Sequence, residues 1–108
     1  MQERLTVGAE VFLAAVTLGE LYYGAAKSGR AQQNMARIDE FASGRTTLPC
    51  DVATAREYGR LKAQLRAKGR PLPENDLWIA ATARLHGLAL VTRDSHFHAV
   101  EDLAVEIW

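Results

Sequence analysis

The chain has 108 residues, of which 48% are hydrophobic and 24% are charged. This length and composition suit one folded domain, residues 1–108, and exclude a disordered segment. Thirteen basic residues balance thirteen acidic residues, which excludes a global basic field for nucleic acid. Any polyanion must therefore be held by a local patch or through metal ions.

Cysteine usage and hydropathy indicate the cellular setting. Cys50 is the single cysteine, so no intrachain disulfide can form, which fits a reducing compartment. No apolar run approaches the roughly 18 residues of a membrane span. The polar residues 1–10 lack the apolar core of a signal peptide. We therefore expect a cytoplasmic protein.

The first half of the chain predicts two strands that enclose two helices. The apolar run 10–16 is typical of a buried parallel strand. Residues 17–29 and 30–44 predict helices, and residues 46–50 predict a short strand. The Met, Tyr and Phe residues fall at core spacing and are interpreted as core.

The second half predicts two more helices followed by two strands. The helices are 52–69, with Asp51 as its N-cap, and 76–87, which Gly87 ends. Residues 88–92 and 104–108 predict strands, and residues 93–103 between them are irregular with one helical turn at most. The order β-α-α-β-α-α-β-β predicts an α/β domain with a mainly parallel sheet.

Three acids can be placed at one edge of that sheet. Glu20 follows the first strand, Asp94 follows strand 88–92, and Asp76 opens the helix that leads back into that strand. The carboxyl ends of parallel strands are where ligands bind in such sheets. Clustered carboxylates without a cysteine ligand suit a hard cation, Mg²⁺ or Mn²⁺.

Each acid also has a structural interpretation. Glu20 with Thr17 matches a helix capping box, Asp76 gains from the helix dipole, and Asp94 suits a turn. Their convergence on one edge favours the metal site. Other polar residues near the acids are weaker candidates for substrate binding: Thr17, Asn75, Thr92, Arg93, Ser95 and His96.

Histidines and basic residues give weaker signals. His96 and His98 lack a third histidine or a cysteine at zinc-binding spacing, so a zinc site is disfavoured. The stretch 60–70 is densely basic, although exposed helix charges usually form a solvated face. The basic residues that can line a groove near the acids are Arg30, Arg37, Lys68, Arg70 and Arg93.

Three stretches together resemble the PIN-domain family. They are "VTLGELYYGAAKSGR", "PLPENDLWIAATARLHGLALVTRD" and the "HF" that follows, and their order and spacing resemble those of VapC-type toxin ribonucleases over nearly all of residues 9–108. The resemblance implies a three-layer α/β/α domain and a metal-dependent nuclease that cleaves RNA. It also implies an antitoxin partner and a homodimer.

The resemblance assigns roles to the acids by position. Glu20 is similar to the family's second acid, Asp76 to the third and Asp94 to the fourth, which makes them metal ligands and catalytic residues. Ser95 and His96 lie where the family often places supporting polar residues. The family's first strand, which ends in an Asp and lies in the middle of the sheet, has no counterpart.

That difference leaves two hypotheses open. We expect a domain incomplete at its N-terminus, in which the neighbouring strands expose unpaired edges to another chain. It is either a Mg²⁺- or Mn²⁺-dependent ribonuclease or an inactive PIN-like module that binds an antitoxin or RNA without cleavage. An unrelated phosphate-binding α/β domain is disfavoured because no glycine-rich loop follows a strand.

Overall fold

The computed structural model describes residues 4–8, 10–92 and 94–107, and they form an α/β domain. The strands are β1 (Arg4–Val7), β2 (Glu10–Ala14), β3 (Thr46–Leu48), β4 (Ala89–Thr92) and β5 (Val105–Ile107). The helices are α1 (Ala15–Ala26), α2 (Ala31–Ser43), α3 (Val52–Ala67), α4 (Glu74–His86) and a short 3₁₀ helix, Ser95–Ala99. The predicted α/β class is confirmed. Arg93 and Trp108 lie outside the described residues.

The strands form one sheet in the order β3-β2-β1-β4-β5. The pairs β2–β3 and β4–β5 are parallel, whereas β1 runs antiparallel to both β2 and β4. Four strands therefore point in the same direction, and the prediction of a mainly parallel sheet is confirmed. Their carboxyl ends lie at a common edge, called the carboxyl edge below.

A central strand, β1, lies between β2 and β4. Leu5 pairs with Phe12 on one side and with Leu90 on the other, so β2 and β4 do not expose the unpaired edges that we expected. An antiparallel strand needs only a tight turn to reach its neighbour, whereas a parallel strand needs a long crossover. Val7 pairs with Glu10, and the intervening Gly8 has a φ of 58°, which glycine adopts without strain.

The starts of the two helices that carry Glu20 and Asp76 differ from the predictions by two residues each. Helix α1 begins at Ala15, two residues before the predicted start, and its N-cap Ala14 makes no side-chain capping bond. The predicted capping box of Thr17 and Glu20 is therefore wrong. Helix α4 begins at Glu74, so Asp76 lies in its first turn and does not open it.

Two other predicted boundaries are confirmed. The carboxylate of Asp51 accepts a hydrogen bond from the Thr54 backbone N–H at 3.0 Å and caps α3. Gly87 ends α4 in the left-handed conformation, with a φ of 65°. Both residues suit their positions because a short acceptor side chain satisfies a free N–H and glycine carries no Cβ.

The main core lies between the sheet and the helices α3 and α4. Its largest buried side chains are Leu5, Leu61, Leu65, Ile79, Leu90 and Phe97. The prediction that the Met, Tyr and Phe residues belong to the core is wrong for Tyr23, Met35 and Phe41, which are exposed. No helix among the described residues is long and apolar enough to cross a membrane.

Candidate active site at the carboxyl edge of the sheet

The three predicted acids come from three separate elements. Glu20 lies in the second turn of α1, exposed to solvent, and Asp76 lies in the first turn of α4, half-buried. Asp94 lies beyond β4 and caps the 3₁₀ helix. Because α1 follows β2 directly and α4 runs back toward β4, topology brings all three acids to the carboxyl edge.

Burial and neighbouring charges both affect the Asp76 carboxyl group. Burial raises the pKa of Asp76 above its ordinary value, and the charges of Asp94 and Glu20 raise it further. The imidazole of His96 acts in the opposite direction. Like charges and desolvation both disfavour the ionised form, so the Asp76 carboxylate gains from a cation placed beside it.

Asp94 is held by local hydrogen bonds. One of its carboxylate oxygens, Oδ1, accepts the His96 backbone N–H at 2.8 Å, and the Nδ1 of the His96 ring lies 2.8 Å from the same oxygen. The Asp94 backbone N–H donates to the Thr92 hydroxyl at 3.1 Å. These bonds engage one oxygen of the carboxylate, and its side chain is 42% exposed. Asp94 therefore has a fixed orientation and still reaches solvent.

Glu20 has one described side-chain contact at this edge. The side-chain amide of Asn75 donates to the Glu20 carboxylate at 3.3 Å. Since the capping box is absent, helix capping no longer explains the acid at this position. The contact ties α1 to the residue immediately before Asp76 and links two of the three elements that carry the acids.

The donor chemistry of the edge fits a hard cation, because all three acids offer carboxylate oxygens. The arrangement is nevertheless open. Among residues 4–8, 10–92 and 94–107, no group of three or more His, Cys, Asp or Glu side chains is close enough to hold a metal ion. The three acids therefore lie at the same edge and interact electrostatically, but they do not form a preassembled set of metal ligands.

The weaker site candidates divide by burial. Thr17 and Thr92 are buried, with 2% and 1% of their surface exposed, so they suit a positioning role and not contact with a substrate. The remaining described candidates, Asn75, Ser95 and His96, are exposed beside the acids. Arg93 lies outside the described residues, so its predicted role is untested.

Sequence reasoning missed a cation at this edge. Arg4 pairs with Val91 near the end of β4, so the antiparallel direction of β1 places Arg4 at the carboxyl edge. Its Nε is buried and makes no hydrogen bond with a described residue. No sequence signal identified Arg4, because its position follows from the direction of a strand that was not predicted.

Two hollows flank the acids, and sequence reasoning missed most of their residues. One lies along α1 beside Glu20, and the other lies beside Asp94. The first is lined by Val16, Gly19, Glu20, Tyr23, Gly24, Lys27 and Asn75. The second is lined by Gly69, Arg70, Pro71, Leu72, Ser95, His96, His98 and Ala99. Of the predicted basic groove residues, Arg70 is the described one that lines either hollow.

Known proteins with similar sequences carry ribonuclease names. The PIN domain family matches residues 2–103. Ribonuclease VapC2 of Haemophilus influenzae is 40% identical over 97 residues, which are 89% of this chain and 74% of the relative. The tRNA(fMet)-specific endonuclease VapC of Shigella flexneri has the same identity and coverage.

Solved structures of VapBC complexes have the same fold. DNA-bound VapBC of Salmonella typhimurium matches with a TM-score of 0.85 and 34% identity, over 90% of this chain and 74% of the other. VapBC-1 of nontypeable Haemophilus influenzae matches with a TM-score of 0.86 and 27% identity, over 95% and 78%. The chain therefore belongs to the PIN-domain family, and its relatives are VapC ribonucleases.

Proposed function

We propose that the chain is a Mg²⁺- or Mn²⁺-dependent endoribonuclease and the toxin component of a VapBC-like toxin–antitoxin pair. The observation that carries this proposal is the convergence of Glu20, Asp76 and Asp94 on the carboxyl edge. Burial and the charges of Asp94 and Glu20 raise the pKa of Asp76 there. Carboxylates that repel one another in a partly desolvated place suit a site completed by a cation. The ribonuclease names of the relatives support the same reaction.

The residues of the edge have separate tasks in this proposal. Glu20 and Asp94 would be the main ligands of a Mg²⁺ or Mn²⁺ ion, and Asp76 would hold a second ion or position the water. When bound, the ion would supply an activated water and would stabilise charge that builds on the phosphate. Asn75 orients Glu20, and the backbone of residue 96 orients Asp94.

Conservative substitutions of the acids test the proposal. Asp76→Asn and Asp94→Asn each keep the size of the side chain and remove its charge, so each should abolish Mg²⁺-dependent RNA cleavage. A gel assay with a labelled RNA measures cleavage, and circular dichroism checks the fold. Glu10→Gln changes an exposed acid at the start of β2, away from the carboxyl edge. It is the matched control and should cut at the wild-type rate.

Full activity in both site variants would reject the assignment of the acids. Absence of cleavage by the wild-type protein, with every candidate RNA and metal, would reject the proposed reaction itself. The two failures are distinct because the first requires an active enzyme.

A second candidate function is a PIN-like binding module that does not cut RNA. Two observations favour it: the described acids do not form a closed metal site, and the central strand brings Arg4 to the edge. Calorimetric titration with Mn²⁺ separates the two functions. If millimolar Mn²⁺ gives no heat of binding and RNA stays intact, the binding module is preferred.

We also infer an antitoxin partner, a homodimer and a cytoplasmic location. The structural neighbours are VapBC proteins, which supports the antitoxin. Helix α2 contains no buried residue and exposes Met35 and Phe41, which suits coverage by another chain. Light scattering of the purified chain tests the dimer, and co-purification with the product of the adjacent gene tests the antitoxin.

A further inference from the structure

We infer that a single RNA strand crosses the carboxyl edge from one hollow to the other, with a base stacked on Tyr23 and a phosphate bound by Arg70. Because the three acids lie there, this part of the molecule is called the acidic edge below. This inference rests on the proposed function, because it assigns the substrate path on either side of the same acids. It adds two binding residues, neither of which is an acid of the site.

The hollow beside Glu20 offers a flat aromatic surface. It encloses about 630 Å³ and contains Glu20 and Asn75 of the site together with Tyr23 and Lys27. Tyr23 is 67% exposed, and the Lys27 ammonium lies 4.9 Å from the centre of its ring. An exposed aromatic ring is unfavourably hydrated, so it gains from a partner that covers it. A ring with a cation beside it suits a nucleotide, because the base can stack on the ring while the cation attracts the phosphate.

The neighbouring Tyr22 makes the role of Tyr23 more specific. The Tyr22 hydroxyl donates to Asp39 on α2, which joins the two helices. Tyr22 therefore has a structural partner, whereas the Tyr23 ring lines the hollow beside Glu20. Two adjacent tyrosines thus have different surroundings, and Tyr23 is the one placed at the acidic edge.

The hollow beside Asp94 offers a cation. It encloses about 430 Å³, and Arg70 lines it with Ser95, His96 and His98. Lys68, close to Arg70 in the chain, is already engaged by the Glu101 carboxylate at 3.1 Å and the Ala99 carbonyl at 3.0 Å. Arg70 is exposed and makes no ion pair with a described residue. Its guanidinium is always charged and matches phosphate geometry.

The order of groups favours a nucleic acid strand over a peptide. An aromatic ring, an acidic edge and a guanidinium follow one another, which matches a base, a phosphodiester at the edge and a flanking phosphate. The strand must be unpaired, because a base in a duplex cannot stack on a side chain. The formal net charge of zero also requires phosphate contacts to be local.

Binding of a short fluorescein-labelled oligouridine, measured by fluorescence anisotropy in EDTA so that it stays uncut, tests the path. Tyr23→Ala should weaken binding about 5- to 150-fold, the usual loss of one base stack. Tyr23→Phe keeps the ring and should bind like the wild type. Tyr23 is exposed, so neither substitution disturbs the hydrophobic core.

Arg70→Ala should reduce the slope of log K against log salt by about 0.7, the value for one phosphate contact on a single strand. Arg70→Lys should keep the slope. Arg56→Ala removes an exposed arginine from α3 and is the matched control, with an unchanged slope. With Mg²⁺ and cleavage as the measure, Tyr23→Ala and Arg70→Ala should raise KM and leave kcat nearly unchanged.

Tyr23→Ala and Arg70→Ala that bind and cut the oligonucleotide like the wild type would overturn this inference while leaving the proposed nuclease intact. If Tyr23→Ala instead weakens binding of the antitoxin alone, the hollow is a protein contact and the inference is also wrong. A wild-type protein that neither binds nor cuts RNA would reject the proposed function as well.

Discussion

Two clusters of charged side chains in this molecule differ in the charges that surround them. In the first, between α3 and α4, Arg84 Nη2 lies 2.6 Å from Glu57 Oε1, and these side chains are 10% and 12% exposed. The Arg84 guanidinium also donates to the Gln64 side chain and to the Glu101 backbone carbonyl. Every charge in this cluster has an opposite charge or a hydrogen-bond acceptor.

In the second cluster, at the carboxyl edge, acidic side chains have other acidic side chains as neighbours. Burial and two neighbouring carboxylates raise the pKa of Asp76, whereas the nearly buried Glu57 has an arginine as its partner. Glu57 thus has an opposite charge beside it, whereas Asp76 has like charges near it. The comparison therefore separates the acids that stabilise the fold from those assigned to the site.

The largest expected effect on stability comes from breaking the first cluster, between α3 and α4. Arg84→Ala leaves Glu57 with only the longer, 3.4 Å contact to the exposed Arg60. The substitution should lower the free energy of unfolding by about 3 kcal/mol. Urea unfolding measures the loss. Cleavage per folded molecule should stay unchanged, because Arg84 does not line either hollow at the edge.

Replacement of both partners is the internal control for this prediction. The double variant Glu57→Leu with Arg84→Met removes both charges and should recover most of the lost stability, since no isolated buried charge remains. A single Arg84→Ala variant as stable as Arg56→Ala would contradict the structural role of the pair.

A smaller effect of opposite sign is expected at the acidic edge. Because the folded-state pKa of Asp76 is raised above its ordinary value of 3.8, the folded state binds this proton more tightly than the unfolded chain. The stability contribution of Asp76 therefore falls as pH rises from 3.8 through the raised pKa. Asp76→Asn should be more stable than the wild type at neutral pH, with a higher melting temperature.

The pH dependence separates this electrostatic gain from a packing change. In thermal melts without divalent metal, the advantage of Asp76→Asn should shrink below pH 3.8, where Asp76 is protonated in both states. An advantage that is equal at acidic and neutral pH, or a variant less stable than the wild type at neutral pH, would contradict repulsion among these acids.

The smallest effect is expected for the exposed contact within the acidic edge. His96→Ala removes the ring beside Asp94, but the His96 side chain is 83% exposed, so its contact is worth less than about 1 kcal/mol. The backbone N–H at position 96 still caps Asp94 after the substitution. Urea unfolding should show stability close to the wild type, and a loss as large as that of Arg84→Ala would contradict the comparison.

Much of the candidate site was predictable from the sequence because the acids follow recognisable elements. Strand 88–92 and the helix that precedes it have clear patterns, and these place Asp76 and Asp94 at one edge. Glu20 was also placed correctly, although its predicted capping role was wrong because α1 begins at Ala15. The hollows were not predictable, because Tyr23 and Arg70 resemble ordinary core and surface residues.

The sequence by itself determined the α/β class, the start of α3 at Asp51, the end of α4 at Gly87, and the edge of the sheet at which the acids lie. These features depend on local periodicity and on residues that act on their own backbone. Tertiary structure alone decided the place and direction of β1. Its four residues carry too little pattern to predict a strand, and pairing with β2 and β4 makes it the centre of the sheet. That pairing brings Arg4 to the carboxyl edge.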